Sequence, residues 1–590
     1  MKKFLLIISL FYFGTTFGQN NAALADRYFQ QGAYEKATQL YEILQKNNPY
    51  NTKYLKRLIT CFQEVNNYEK AENFLENKLL DNPDLLFLYV EIGYNFDRQQ
   101  KKELAKKAYS AALTAIDTKP NLGGLIGKMF QENNLLDYAI EAYSKTMSLN
   151  KNARYEFQIG QIYGEKGQFE KMFDYYMDLI NENTNNLKGI QRFISRYITE
   201  DPFDKNNIAL KRSLLRKSIS NPKNVWNELL SWLFAKQKEY NKAFVQEKAL
   251  FKRDPAYLEA IFELGKIAFE GADLATAKRC FIFFLEHSVF IEDRLSAELY
   301  LLKIAVKNKD KDCELMFYKT LDGYGVNRNT IEIQIAFAKY LAFQKSNPQK
   351  AIDVLRSALS LSQSKFQKAT IKLLLGDIFV FTNRFNKALL YFSQVQTQLK
   401  NHPLSQEARF KVAQTSYFKG DFSWAKSQLK VLKGSASQLI ANDAVQLFLI
   451  ISDNEPKDSI PSGLKEFAKA DLLAYQYKNS EAIAVYNELL KTYSGQNIED
   501  DALFNLAKIH LREAQYEKGI AALLKLISID PNSIFVDDSY YLLAETYKNF
   551  IKDSKKASEY YQKIIFEKRS SIYLVDARKK FRELRGEILN

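Results

Sequence analysis

The feature that most constrains the fold of this 590-residue chain is a 34-residue spacing between small side chains. Four alanines mark it near the N-terminus: Ala37, Ala71, Ala105 and Ala139. A second series of small or aliphatic residues lies twelve positions earlier: Ala25, Ile59, Gly93 and Gly127. A bulky residue follows each alanine four positions later: Tyr41, Leu75, Tyr109 and Tyr143. This spacing, kept over four units, predicts a tandem array rather than one globular core.

Helix packing explains why these residue types recur. A small residue on a first helix lets a second helix approach closely, and the alanine on the second helix has the same effect. The bulky side chain one turn later fills the space toward the next unit. Gly32 marks the short turn inside a pair, and Pro49 ends the pair. Because one pair cannot bury its apolar stripe alone, successive pairs must stack.

The composition agrees with a helical array. The chain has only 22 glycines and 11 prolines, but 36 tyrosines and 42 phenylalanines. Scarce helix breakers and abundant aromatic residues favour helices over a β-sheet protein or a disordered chain. We therefore predict an all-α fold, an α-solenoid of stacked helix–turn–helix units.

The segment ALADRYFQQGAYEKATQLYEILQKNNP, residues 23–49, resembles the tetratricopeptide repeat, a 34-residue helix–turn–helix unit. The pattern continues along most of the chain in about thirteen units, although Met172 stands where alanine is expected. Further packing positions follow from the same register: Gly160, Gly265, Ala277, Gly376, Ala388, Ala425, Ala482, Ala507 and Ala544. The resemblance implies a superhelix that binds proteins.

Departures from the repeat suggest how the chain is divided. Polar, proline- and glycine-containing residues make SDNEPKDSIPSG the best linker candidate. The predicted segments are a signal peptide at 1–18, an N-terminal array at 19–187, an irregular helical join at 188–225, a central array at 226–451 with a degenerate unit at 294–329, a linker at 452–463, and a C-terminal array at 464–590 that ends in a basic helix.

The first residues, MKKFLLIISLFYFGTTFGQN, have the layout of a secretory signal peptide. Lys2 and Lys3 precede an apolar core, and cleavage is expected between Gly18 and Gln19. The alternative is an uncleaved anchor, but a membrane-spanning helix needs about 18 or more apolar residues. The segment resembles signal peptides of Bacteroidota, which implies the periplasm, with the outer membrane as a place of association.

The C-terminal units have a character of their own. Paired aspartates open DDALFNLAKIH at Asp500 and DDSYYLLAETY at Asp537, which suits the positive end of a helix dipole. These units resemble the repeats of the outer-membrane barrel-assembly lipoprotein and of the periplasmic cell-division coordinator. The resemblance covers about the last quarter of the chain. The first cysteine is Cys61, so the cleavage point lacks the cysteine of a lipoprotein.

No residue pattern predicts catalysis, a metal site or a cofactor. His287, His402 and His510 lie on separate repeats, and the three cysteines form no CxxC pair. His510 takes a first-helix position that favours a packed core histidine over a metal ligand. GGLIGKM, residues 123–129, is one residue short of a phosphate loop and has no serine or threonine after its lysine. We predict that the protein is not an enzyme, although an all-helical wall hydrolase stays open.

The net charge of +15 is spread along the sequence. An exported protein meets little nucleic acid, so an acidic partner or peripheral contact with an anionic envelope surface is the better interpretation. No later window is apolar enough to predict a transmembrane helix in the mature chain.

The remaining candidate is the concave face that the first helices line in tetratricopeptide arrays. The repeat register predicts six aromatic residues on it: Phe381, Phe410, Tyr417, Phe418, Phe504 and Tyr541. They could hold apolar or aromatic side chains of a bound segment, or they could pack between neighbouring helices. The Lys/Asn clamp of chaperone-binding members is absent, because Thr60 follows Lys56 where asparagine is needed.

These observations predict a non-catalytic protein-binding scaffold of the bacterial cell envelope. The alternative is a subunit of an envelope machine for outer-membrane protein assembly or for protein secretion.

Overall fold

The computed structural model describes residues 21–434, 438–455 and 462–586, and every regular element in them is helical. The chain divides into two compact units, Met1–His287 and Ser288–Asn590. The predicted signal peptide and residues 456–461 of the predicted linker lie outside the described residues. The predicted all-α fold of helix–turn–helix repeats is confirmed. The array boundaries predicted within each unit stay predictions.

The first unit consists of sixteen α-helices within its described residues, joined by short turns. In chain order they are α1 (21–30), α2 (Tyr34–Asn47), α3 (Thr52–Glu64), α4 (Tyr68–Asp81), α5 (Leu88–Arg98), α6 (Lys102–Thr118), α7 (Gly123–Glu132), α8 (Leu136–Leu149), α9 (Glu156–Glu165), α10 (Phe169–Glu182), α11 (Leu187–Ile194), α12 (Lys205–Ser220), α13 (Asn224–Lys236), α14 (Tyr240–Arg253), α15 (Leu258–Glu270) and α16 (Leu274–His287). Short 3-10 turns occupy Pro120–Leu122, Thr184–Asn186, Ser195–Tyr197 and Pro255–Tyr257.

The second unit is built in the same way. Its helices are α17 (Ile291–Asn308), α18 (Cys313–Tyr324), α19 (Ile331–Phe343), α20 (Pro348–Leu361), α21 (Lys365–Phe381), α22 (Phe385–Gln398), α23 (Pro403–Lys419), α24 (Phe422–Leu432), α25 (Gln438–Asp453), α26 (Leu464–Tyr475), α27 (Asn479–Thr492), α28 (Ile498–Arg512), α29 (Tyr516–Ile529), α30 (Val536–Thr546), α31 (Ser554–Glu567) and α32 (Leu574–Leu584). A 3-10 turn lies at Arg328–Thr330, and a π-turn at Tyr547–Ile551 extends α30.

A left-handed residue closes the short turn inside most helix pairs. Glycine takes this position at Gly32, Gly167 and Gly420, where φ lies between +69° and +88°. In other pairs a residue with a side chain takes it, including Asn66, Asn134 and Asn383. Asparagine tolerates this conformation better than most residues, which explains why glycine is dispensable at these turns. The scarcity of glycine is therefore compatible with many tight turns.

The first and second helices of a pair meet where a ring lies on a glycine. A Cβ atom added to Gly93 would come within 2.4 Å of the Tyr109 ring, and one added to Gly376 within 2.2 Å of the Phe392 ring. The same contact joins Gly127 to Tyr143, Gly160 to Tyr176, and Gly265 to Phe281. The seventeen predicted packing residues are all buried. The ring therefore packs on the first helix of its own pair, and the predicted contact toward the next pair is additional, as between Tyr143 and Tyr155 at 4.9 Å.

Met172 occupies an alanine position without disturbing this packing. It is fully buried, and a Cβ atom added to Gly164 would come within 2.8 Å of its sulfur. The space that a small residue on the second helix usually provides is supplied here by a second glycine on the first helix.

Helix α25 departs from the paired pattern. It packs on α23, α24 and α28, whereas the next helix, α26, forms a pair with α27. Ala444 and Ile451 of α25 are fully buried in the same core as Ala425 and Ala482. Helix α25 is therefore an additional helix that belongs to the core and lies between two helix pairs of the second unit. This helix forms one wall of the site described next.

Candidate functional site

Four helices of the second unit surround a cavity of about 350 Å³, which we call the aromatic cavity. Helices α23, α26 and α28 are first helices of their pairs, and α25 is the additional helix. The lining residues are Phe410, Gln414, Tyr417, Phe418, Asp443, Gln446, Leu447, Ile450, Asp471, Tyr475, Asn505 and Lys508. The repeat pattern brings these side chains together because the same positions of successive first helices lie side by side.

Aromatic rings from α23 and α26 form one side of the cavity. The ring of Phe418 lies 5.6 Å from the rings of both Tyr417 and Tyr475, measured between centroids. Phe410, Phe418 and Tyr475 are half-buried, whereas Tyr417 is only 1% exposed. Three rings therefore offer surface to a ligand, and Tyr417 supports them from behind.

A polar network fixes the floor of the cavity around Asp471. Tyr417 donates a hydrogen bond of 2.7 Å to Oδ2 of Asp471, and Tyr486 donates a short one to Oδ1. Asn505 donates a third, at 2.9 Å, to Oδ1. Burial raises the pKa of Asp471, while the bonds from Tyr486 and Tyr417 act in the opposite direction. Through these bonds the carboxyl group fixes the relative positions of three helix pairs.

The rim of the cavity carries side chains that are available to a partner. Asp443 and Gln446 of α25 are exposed, and neither has a hydrogen bond or an ion pair within the described part of the chain. Lys508 is also exposed, and its Nζ lies 4.7 Å from the centroid of the Phe504 ring. Apolar rings surrounded by a polar rim are the usual composition of a protein-binding pocket.

A second, half-buried acid lies one helical turn before Asn505. Asn454 donates a hydrogen bond of 3.1 Å to Oδ2 of Asp501. Burial, followed by the neighbouring charge of Asp500, raises the pKa of Asp501 to about 7. This group therefore changes its charge near neutral pH, directly beside the network that fixes the cavity.

The structure brings three of the six predicted groove residues together and places the other three elsewhere. Phe410, Tyr417 and Phe418 line the aromatic cavity. Phe381 lies 5.2 Å from Phe343. Phe504 is buried in a stack with Phe535 at 4.5 Å, and Tyr541 stacks on Tyr573 at 4.2 Å while donating to Asp576. Whether any of these rings binds a partner stays a prediction.

Sequence reasoning missed the residues that α25 and α26 contribute. The signal for Asp471 was present, because an acid follows the small residue Ala470 and a tyrosine follows 15 residues later. The same arrangement occurs at Asp26 and Tyr41, which are bonded at 2.6 Å. Asp443 had no such signal, since α25 does not follow the repeat.

The histidines and cysteines do not converge. His510 is buried, as predicted, and its Nδ1 lies 2.9 Å from Oε1 of Gln515. Cys61, Cys280 and Cys313 are buried free thiols. Among residues 21–434, 438–455 and 462–586, no three His, Cys, Asp or Glu side chains are placed to hold a metal ion. None of the helices in these ranges is long and apolar enough to cross a membrane.

Two family models, each described as Tetratricopeptide repeat, match residues 153–186 and 467–534. Both segments therefore match the tetratricopeptide repeat, in agreement with the paired helix packing. Such arrays present extended surfaces that bind other proteins and are usually non-catalytic. The second match contains Asp471 and Tyr475, so it includes part of the aromatic cavity.

A curated relative of this chain is the BBSome complex member BBS4 of Bos taurus, which is 22% identical over 292 residues. The match covers 49% of this chain and 48% of the relative, so the chain spans about half the length of the curated relative it matches.

Solved structures with similar helix arrays include yeast Tom70 and a tetratricopeptide repeat protein from Parabacteroides merdae. Tom70 is 13% identical with a TM-score of 0.28, and the match covers 96% of this chain and 99% of that one. The Parabacteroides protein is also 13% identical, with a TM-score of 0.27 over 48% of this chain and 96% of its own.

Proposed function

We propose that this tetratricopeptide repeat protein is a non-catalytic scaffold of the bacterial cell envelope, and that it binds segments of partner proteins on the first helices of its repeats. The aromatic cavity is the observation that carries the proposal. Its half-buried rings come from two successive repeats, and its rim has polar groups without partners among the described residues. A repeat surface of this kind recognises a partner by shape and needs no chemistry of its own.

The proposed ligand is a segment that inserts one apolar or aromatic side chain between Phe410, Phe418 and Tyr475. A buried aromatic or aliphatic anchor of this type supplies most of the affinity in many protein interfaces. Asp443 and Gln446 then stand at the rim, where they can accept or donate hydrogen bonds to the backbone of the bound segment. The fixed floor at Asp471 keeps the rings in place before binding, which lowers the entropic cost of association.

The proposed location in the cell envelope rests on the N-terminal sequence. Residues 1–18 have the charge, the apolar core and the small-residue end of a signal peptide. Under the proposal the mature chain begins at Gln19 and acts in the periplasm or at the outer membrane. N-terminal sequencing of protein from native cells tests this point, and a mature protein that still begins at Met1 contradicts the export proposal.

An affinity pull-down from envelope fractions tests the binding role. Wild-type protein is compared with Phe418→Ala, which removes a ring of the cavity, and with Phe566→Ala, which removes an exposed ring on α31. We expect Phe418→Ala to lose a partner that wild-type and Phe566→Ala both retain. Equal recovery by all three would contradict a role for the aromatic cavity.

The identity of the main partner decides between the two forms of the proposal. A subunit of an outer-membrane assembly or secretion machine should recover that machine as its principal partner. Recovery of other envelope proteins instead favours the general scaffold.

A further inference from the structure

Another cavity, of about 540 Å³, lies in the first unit. It is larger than the aromatic cavity, and its lining carries more cationic side chains. We call it the basic cavity. Helix α3 forms one wall, α7 forms the opposite wall, and α1 contributes Phe29. Four cationic side chains line it, namely Lys53, Lys56, Arg57 and Lys128, against two carboxylates, Glu64 and Glu132. We propose that the basic cavity binds a carboxylate-bearing segment of a partner protein, held chiefly by the Arg57 guanidinium.

Arg57 carries the proposal because its guanidinium is held in place but has no acceptor. Its Cζ lies 4.0 Å from the centroid of the Phe29 ring, which orients the planar group. Within the described residues it makes no hydrogen bond and no ion pair. The Asp26 carboxylate, whose pKa the charge of Arg57 helps to lower, is already bonded to Tyr41 at 2.6 Å and to Lys53 at 2.7 Å. A stacked guanidinium with free N–H groups is suited to bidentate binding of a carboxylate.

The two carboxylates of the cavity are already paired with other side chains, and neither is bonded to Arg57. Glu64 accepts a hydrogen bond of 2.8 Å from Arg98, and Glu132 is bonded to Lys56. Behind the wall, Glu91 is 1% exposed and accepts from Asn133, and burial raises its pKa. The basic cavity therefore favours an anion over a cation.

A buried amide provides a second, independent indication of a ligand. Gln63 lines the cavity, is 1% exposed, and its Nε2 has no acceptor among the described residues. Buried donors are almost always hydrogen-bonded, and leaving one unpaired costs stability. A carbonyl or carboxylate oxygen of a bound segment, reached by a small rotation of the amide, would satisfy it.

The apolar part of the lining argues for a peptide rather than a bare anion. Phe29, Leu55, Phe87, Leu125 and Met129 face the same cavity. Inorganic phosphate or a lipid headgroup would leave these side chains without partners, whereas an acidic residue flanked by apolar residues would contact both parts of the lining. The inference goes beyond the proposed function and does not depend on the aromatic cavity.

Selection from a short random peptide library on the full-length protein tests the proposal. We expect wild-type protein to enrich peptides that combine Asp or Glu with apolar residues. Arg57→Gln should bind the most enriched acidic peptide about tenfold more weakly, which is the expected loss of one charge-assisted pair. Lys128→Gln, at an exposed residue of the opposite wall, should weaken binding to a smaller extent and serves if Arg57→Gln fails to fold. Arg212→Gln, an exposed arginine of α12 outside the cavity, should bind as wild-type.

Several outcomes would overturn the proposal. One is a wild-type selection without enrichment of acidic residues, and another is equal binding of the acidic peptide by Arg57→Gln, Lys128→Gln and Arg212→Gln. Displacement of the peptide by inorganic phosphate, or Arg57-dependent binding to phosphatidylglycerol vesicles, would identify a general anion or headgroup site instead. Phe418→Ala should retain the acidic peptide, so failure of the aromatic cavity is distinguishable from failure of this site.

Discussion

The hydroxyl group of Tyr41 lies 2.6 Å from Oδ1 of Asp26, the residue that follows the small Ala25 on the paired first helix. The same relation joins Tyr486 to Asp471 and Tyr561 to Glu545. The tyrosine ring of the second helix thus lies between the two helices of the pair, and its hydroxyl group donates a hydrogen bond to a carboxylate of the first helix. Where the first helix has glycine and no acid follows it, the ring packs on the glycine, and the hydroxyl of Tyr109 is buried without a partner among the described residues.

This difference predicts opposite effects of removing two equivalent hydroxyl groups. Tyr41→Phe loses the hydrogen bond to Asp26 and should lower the free energy of unfolding by about 1 kcal/mol. Tyr109→Phe removes an unpaired buried hydroxyl and should leave stability unchanged or raise it. Urea unfolding followed by circular dichroism measures both. Equal losses in the two variants would refute the proposed division into two packing modes.

The contact between Gly376 and Phe392 predicts a strong effect of adding one methyl group. The Cβ of Gly376→Ala would lie 2.2 Å from the ring, so the helices must separate, at a cost of about 1–3 kcal/mol. Gly323 is the matched control, because it is exposed on α18 with no atom within 4 Å of an added Cβ. Gly323→Ala should be neutral or stabilise by up to about 1 kcal/mol through helix propensity. Thermal unfolding of both variants compares them, and a Gly376→Ala chain as stable as Gly323→Ala would contradict the ring-on-glycine packing.

The raised pKa of Asp501 predicts that the stability of the second unit falls as pH rises. With a pKa of about 7 in the folded chain and an ordinary value of 3.8, Asp501 is protonated in the folded state but ionised in the unfolded state between these limits. The folded chain therefore loses stability as pH rises, by up to about 4 kcal/mol at about 1.4 kcal/mol per pKa unit. Urea unfolding of Asp501→Asn, measured between about pH 4 and 8, should lack this loss.

Asp576 serves as a comparison, because its pKa is shifted in the direction opposite to that of Asp501. Burial raises its pKa, but hydrogen bonds from Tyr541 and Lys580 outweigh that effect and lower it overall. The stability that Asp576 contributes is therefore present above its ordinary pKa and is lost as pH falls. If Asp501→Asn has the same pH dependence as wild-type, the assignment of a neutral carboxyl group is wrong.

The three cysteines should be unreactive in the native protein. Burial raises the pKa of Cys61 to about 11 and that of Cys280 to about 12, and it also raises the pKa of Cys313. A colorimetric thiol reagent should titrate no thiol rapidly at neutral pH and all three after denaturation. A thiol that reacts at the rate of free cysteine in the native state would show that one of them is accessible.

The sequence predicted the helix pairs because their packing depends on residue size at fixed positions. Gly93, Ala105 and Tyr109 meet at one contact, and that contact requires a small residue opposite a large one. The register also placed Phe410, Tyr417 and Phe418 on neighbouring turns of one first helix. Spacing could not decide which rings keep free surface, because the exposure of Phe504 depends on its stack with Phe535 of another repeat.

The sequence could not predict the complete aromatic cavity, because the residues that meet there have irregular separations along the chain. Tyr475 reaches Oδ1 of Asp377 across 98 residues, at 3.5 Å, and Tyr417 reaches Asp471 across 54. Neither separation is a multiple of 34, and α25 lies between the bonded residues in both cases. A pattern search that assumes a constant period cannot pair such residues.

The interruption by α25 also indicates how this architecture can acquire a new pocket. Lys411 and Asp377 are neighbours at a separation of 34 residues, whereas Tyr417 and Asp471 are neighbours at 54, which is 20 residues more. The repeats on either side of α25 still contact each other directly, because each repeat packs only on its immediate neighbours. The additional helix fits into the array without a change of fold, and its exposed Asp443 and Gln446 form part of the rim of the cavity. In an array of similar repeats, the irregular helix makes one location chemically different from all the others.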